Sequence, residues 1–127
     1  MKARTRQPEQ ETEGCRPVDI ETLDIRTTPR TFALQMCDDS MIGRHILDGD
    51  YVICEHGMTP KHGDIVAALI DNQSALRTFL RRGRKPYLRA ENPTHPDLIP
   101  AAELVIQGVA VSLLRSTGGV TTKCTEG

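Results

Sequence analysis

The stretch CDDSMIGRHILDGDYVIC, residues 37–54, sets a serine between two aspartates and a methionine, just ahead of a short apolar run. A serine hydroxyl attacks an acyl centre only when a neighbouring group takes its proton. Ser40 is therefore a candidate nucleophile if a base reaches it, and otherwise an ordinary loop serine that caps a turn or faces water. By residue type the conceivable bases are His45, five positions on, and His62, Lys61 and Lys85, which lie in or beside later turns. Metal chemistry has less support. Cys15, Cys37, Cys54 and Cys124 are widely spaced, form no CxxC pair and do not cluster with histidine, so no zinc site is expected. No motif implies a cofactor.

The elements that must position Ser40 have a period of two far more than of 3.6. TFALQMC (31–37) alternates, and DYVICE (50–55), DIVAALI (64–70), SALRTFL (74–80), KPYLRA (85–90) and ELVIQGVAVSLLR (103–115) complete a set of strands. LDGD, KHGD, DNQS and RRGR separate them with residues that tolerate tight turns. Helix signals are weak, with one turn expected after Ser40 and another around PAAE (100–103). Gly108 inside the last long strand suggests a bulge or bend. The predicted class is mainly β: curved or closed sheets with short helical turns. Residues 1–16 and 116–127 are polar and read as a flexible arm and tail around one domain, 17–115.

Composition narrows the function classes. At 127 residues the chain can bury a core without disulfide or metal staples. A formal net charge of −1 offers no general attraction to polyanions. The basic cluster RTFLRRGRK (77–85) reads as a solvated hairpin rim. With no tryptophan and few other aromatics, single-strand binding by base stacking is not expected. No apolar run approaches the ~20 residues that span a bilayer, and the amino terminus is polar, so the expectation is a cytoplasmic protein with reduced thiols.

Four stretches occur in a telling order: FALQMxxDSMIGRHILDGDYVI, HGDIVAALID, AENPTHPDLIP and VIQGVAV. Together they resemble the carboxy-terminal domain of LexA-type repressors and their relatives, the phage repressors and UmuD-like polymerase accessory proteins. The likeness runs from about residue 13 to 115. It implies a LexA/signal-peptidase-like β domain, usually dimeric, in which a serine of a G-D-S-M motif attacks a peptide bond of its own chain. A lysine on a later strand, in a T-[V/L]-K pattern, is the general base. Ser40 matches the nucleophile. The position of the lysine falls in SALRTFL, where this chain has Arg77.

That exchange has a direct chemical consequence. Burial can lower a lysine towards neutrality so that it accepts a proton, whereas a guanidinium stays protonated at any reachable pH. Self-cleavage is therefore expected to be slow or absent. Lys61, Lys85, His45 and His62 do not occupy the family's base position. Asp38 stands where relatives have the glycine of G-D-S-M, a further departure. Its carboxylate opposes oxyanion charge and puts the backbone donors, among them the Met41 amide, in question.

Relatives cut an Ala-Gly or Cys-Gly dipeptide upstream of the core; neither occurs here. Residues 1–30 carry no recognition helix, so DNA contact is expected only through a missing N-terminal domain. Two functions follow from the resemblance. One is a crippled serine endopeptidase regulating the SOS response to DNA damage. The other is a non-enzymatic or UmuD-like module that homodimerises and docks on a RecA-type recombinase filament or a polymerase, for which LVIQGVAVSLLR supplies a long apolar strand. No membrane partner is expected.

Overall fold

The structure is a computed structural model that describes residues 14–115. Seven antiparallel strands form one curled sheet: β1 (Cys15–Val18), β2 (Thr31–Met36), β3 (Tyr51–Glu55), β4 (Ile65–Ile70), β5 (Gln73–Arg82), β6 (Lys85–Arg89) and β7 (Leu104–Leu114). Their order across the sheet is β1-β2-β3-β7-β4-β5-β6. The mainly β class is as the sequence indicates, and no helix of the described residues is long and apolar enough to cross a membrane.

Burial on both faces explains why IVAALI is nearly continuous in apolar character. Ala67 of β4 and Leu76 of β5 join a core with Cys15, Leu34, Met36, Met41, Ile46, Val52 and Cys54. Their chain neighbours Val66, Ala68 and Ala75 enter a second core with Ile70, Phe79, Leu88 and Val109. Successive side chains of a strand point to opposite faces, so β4 and β5 serve two clusters at once. The first cluster also unites β1 with β5, which closes the curl around the Ser40 segment.

The connections have the predicted turn chemistry. Asp71 and Asn72, both with positive φ, link the pair Ile70 and Gln73 in a two-residue hairpin. Gly83, at φ +66°, and Arg84 do the same between Arg82 and Lys85, where a glycine at the first loop position suits a tight hairpin. Gly108 answers a different need. A Cβ there would lie 2.6 Å from Phe32 Cε1 and 2.7 Å from the Glu55 carbonyl oxygen. The irregularity expected at Gly108 sits beside it: Ala67 pairs with Gly108 and Ala68 with Ile106, leaving Gln107 as the extra residue.

Three details differ from expectation. Strand β1 begins at Cys15, within the stretch read as an arm, while residues 1–13 and 116–127 lie outside the described residues. Residues 20–22 form a 3-10 turn that no sequence signal announced. PAAE is not helical: the amides of Ala101, Ala102 and Glu103 instead surround the Asp71 carboxylate at 2.9–3.1 Å, and those three bonds hold it below the usual carboxylate range. Donors satisfied by a carboxylate have no need of a helix. The turn expected after Ser40 is present as a 3-10 turn over Ile42–Arg44.

Candidate active site

Ser40 lies between the end of β2 and that 3-10 turn, and it is fully buried. Its backbone is held at both ends. The Ser40 N–H donates to Asp38 Oδ1 at 2.9 Å, and the Ser40 carbonyl accepts from the Glu91 N–H at 2.7 Å. Gly43 N–H closes the same join by donating to the Glu91 carbonyl at 2.8 Å. Glu91 is anchored in turn. Burial alone would raise its carboxyl, but the Thr78 hydroxyl at 2.6 Å and the neighbouring Arg89 and Arg44 outweigh it and hold the group low.

Arg77 approaches from the middle of β5. Its Nη1 donates to Ser40 Oγ at 2.9 Å and to the Leu76 carbonyl at 3.0 Å. Only 8 % of the residue is exposed, and its Nε is buried without a hydrogen-bond partner among the described residues. Burial pulls the guanidinium below its ordinary value, while Asp38 and Cys15 oppose that shift. The charge remains, because no accessible shift brings a guanidinium to neutrality. Asp38 therefore touches the site twice, through the Ser40 amide and through its field on Arg77.

Met41, the residue after the serine, is fully buried in the first core, so its side chain is structural and any contact with a reacting atom must come from its backbone. The other conceivable bases are engaged elsewhere. His45 is the exposed left-handed cap of the 3-10 turn, and its carbonyl accepts from Arg115 Nη2 at 2.8 Å. His62 Nδ1 accepts from the Arg81 N–H at 3.2 Å. Lys61 donates its backbone N–H to Asp64 in an exposed turn, and Lys85 begins β6 at the far end of the hairpin.

Sequence reasoning gave no role to Asp39, Asn92 or His95, which secure the same loop from outside. Asn92 Nδ2 donates to the Asp39 carbonyl at 2.9 Å, and His95 Nε2 meets Asp39 Oδ1 at 2.8 Å. The His95 contact is the main reason that the Asp39 carboxyl sits below its usual value. The AENPTHP stretch was the only signal available for this join. A groove of about 660 Å³ runs alongside, lined among others by Gly14, Asp38, Ser74, Arg77, His95 and Asp97. Among the described residues no group of three or more His, Cys, Asp or Glu side chains is placed to hold a metal ion.

Among the described residues Cys15 and Cys54 carry free thiols, and both are buried. Burial pushes each up to about 12, and Asp38 adds to the effect at Cys15.

Comparison with known proteins agrees with this architecture. Residues 2–111 match the Peptidase S24-like family. A LexA repressor of Verrucomicrobium spinosum is 48% identical over 107 residues, covering 84% of this chain and 52% of the relative. A LexA repressor of Acidothermus cellulolyticus is 42% identical over 84 residues, or 66% of this chain and 30% of the relative. A third, from Syntrophotalea carbinolica, is 34% identical over 110 residues, 79% of this chain and 54% of the relative. The chain thus spans about half or less of the length of these relatives. With the family model matching most of its length, the chain belongs to the Peptidase S24-like family.

Proposed function

We propose that this chain is the cleavage and dimerisation domain of a LexA-type regulator of the SOS response, with a serine endopeptidase architecture whose self-cleavage is impaired. The observation that carries the reading is the 2.9 Å hydrogen bond from Arg77 Nη1 to Ser40 Oγ. A nucleophilic serine needs an acceptor for its proton, and here the group against its oxygen is a permanent donor. The Ser40 amide, spent on the Asp38 carboxylate, is not free to face a developing oxyanion. In this reading the Met41 amide is the remaining candidate oxyanion donor. Operator recognition belongs to a separate N-terminal reading domain, and the protein works in the cytoplasm.

The test combines an Ala-Gly dipeptide placed in the amino-terminal segment with Arg77→Lys and Asp38→Gly. Incubation near pH 8 is expected to yield Ser40-dependent cleavage about 10²–10⁴ faster than the same dipeptide beside the native Arg77 and Asp38, the usual worth of general-base help. Equal Ser40-dependent rates in the two proteins would refute the impairment.

A second reading, a non-enzymatic homodimerising module that docks on a RecA-type filament or a polymerase, has its own support in β7. That strand pairs with β4 through Leu104–Val109 and with β3 through Val109–Leu114, so the side of its carboxy-terminal half away from β3 has no strand beside it among the described residues. Val111 and Leu113, two residues apart, are 49% and 42% exposed there. An unpaired strand edge with alternating apolar residues is suited to strand addition by a second copy.

A further inference from the structure

We propose that the tip of the β5–β6 hairpin, with the adjoining 61–64 turn, is a binding surface for the phosphate backbone of duplex nucleic acid. Arg81, Arg82, Arg84, Lys85 and Arg89 occupy five of the nine positions 81–89, with no acidic residue among them, in a chain of formal net charge −1. Residues 81–85 are all exposed. β4 pairs with β5 only as far as Thr78, so the remainder of the hairpin extends past its neighbour as a two-stranded ribbon. The 61–64 turn is stitched to the base of that ribbon. Gly63 N–H donates to the Phe79 carbonyl, Phe79 N–H to the Asp64 carbonyl, and Arg81 N–H to His62 Nδ1. The exposed Lys61 and His62 are thereby set beside the arginines.

The ion pairs within 4.0 Å among the described residues are Arg44–Glu91, Arg89–Glu91, His95–Asp39 and Arg115–Asp50, so Arg81, Arg82, Arg84, Lys85 and Lys61 have no carboxylate partner there. Two of the guanidiniums are nevertheless held in place. Arg82 lies over Tyr87 at 4.8 Å from its centroid, and Arg81 over Phe79 at 5.6 Å. Stacking fixes the planar fork without using its donors, which suits bidentate capture of phosphate oxygens. Protection of the sheet edge accounts for Lys85 and Pro86 on β6, whereas on β5 the side that β4 leaves free is already taken at Phe79 and Arg81 by the 61–64 turn.

The surroundings favour nucleic acid over other polyanions. None of the exposed large hydrophobic residues lies within 77–89, so nothing at the tip could insert among lipid chains or anchor a peptide. A two-stranded ribbon fits a B-form major groove, and a surface without a stacking platform suits duplex better than single strands.

The test measures fluorescence anisotropy of a labelled random-sequence 24-base-pair duplex against the full chain, between 50 and 200 mM salt. Binding is expected in the non-specific range, with log K falling linearly in log salt. The variant Arg82→Ala/Arg84→Ala/Lys85→Ala should flatten that slope by about 2.7, three contacts at about 0.9 each, while Arg82→Lys/Arg84→Lys retains it. Should the alanine variant not fold, the single Arg84→Glu change at the turn replaces it and must weaken binding and flatten the slope. Absence of binding at 50 mM salt, an unchanged slope in the charge-removed variant, or tighter binding to poly-glutamate or to phosphatidylserine vesicles at equal salt each overturns the proposal.

Discussion

At the scale of single residues, the fate of one hydroxyl depends on what donates to it. Ser40 was legible in the sequence because a motif in a set order marks it, and the same order located Arg77. The carboxylate of Asp38 was legible as an obstruction but not as the cap of the Ser40 amide, since a loop's backbone direction is not written in residue types. The Asp39–His95 contact was out of reach for another reason: the two are 56 positions apart and meet where the Glu91–Ser40 and Asn92–Asp39 hydrogen bonds join their loops. Thiol chemistry gives a prediction at this scale. Cys15 and Cys54 titrate near 12 in the fold against an ordinary value of 9.0. Between those values the unfolded chain loses the protons that the folded chain keeps, so stability is intact below about pH 9 and falls as pH rises towards 12. Urea midpoints should decline over that window, and Cys15→Ser/Cys54→Ala should lessen the decline; an unchanged pH dependence would contradict the assignment. Cleavage assays are best kept at or below pH 9, where loss of the fold does not imitate loss of chemistry.

Elements show which parts of the fold were written locally. The six strands of the sequence reading match β2 to β7 to within a few residues because each alternates or is uniformly apolar between turn residues. β1 escaped notice because CRPV is four residues long, contains a proline and an arginine, and exists as a strand only through its pairing with β2. The supposed helical turn at PAAE yielded to a carboxylate from another hairpin, a tertiary contact with no local signature. Gly108 was correctly singled out, though for a more specific cause than a bend: Phe32 and the Glu55 carbonyl occupy the space of a side chain. Gly108→Ala should therefore destabilise the fold by about 1–3 kcal/mol, the usual cost of overpacking a core. Adding Phe32→Ala should recover none of that loss, because the carbonyl clash remains and a cavity is added. Denaturant unfolding of the three variants measures both effects.

For the molecule as a whole, the neighbouring ends of β3 and β7, at the middle of the sheet, are tied by one buried acid. Asp50, at the entrance to β3, receives Arg115 through Nε at 2.9 Å and Nη2 at 2.7 Å, and accepts the Leu47 N–H as well. This clasp fixes the end of β7 and so presents Val111 and Leu113 on an ordered strand. If that strand is the dimer contact, Val111→Asp/Leu113→Asp should halve the mass seen by size-exclusion light scattering and leave the circular dichroism unchanged. A native mass already equal to one chain would end the dimer reading. One last consequence belongs to β5, which carries Arg77 in its middle and the cationic hairpin at its end. Arg77 and Arg82 are five positions apart on a continuous ladder, about 17 Å at the rise of an extended chain. Loss of one residue between the 71–72 turn and Arg77 would slide that ladder against β4 and turn the guanidinium away from Ser40, because side chains change face at every step. The hairpin tip can thus vary freely in charge, but the short arm from that turn to Arg77 cannot vary in length, without disturbing the serine.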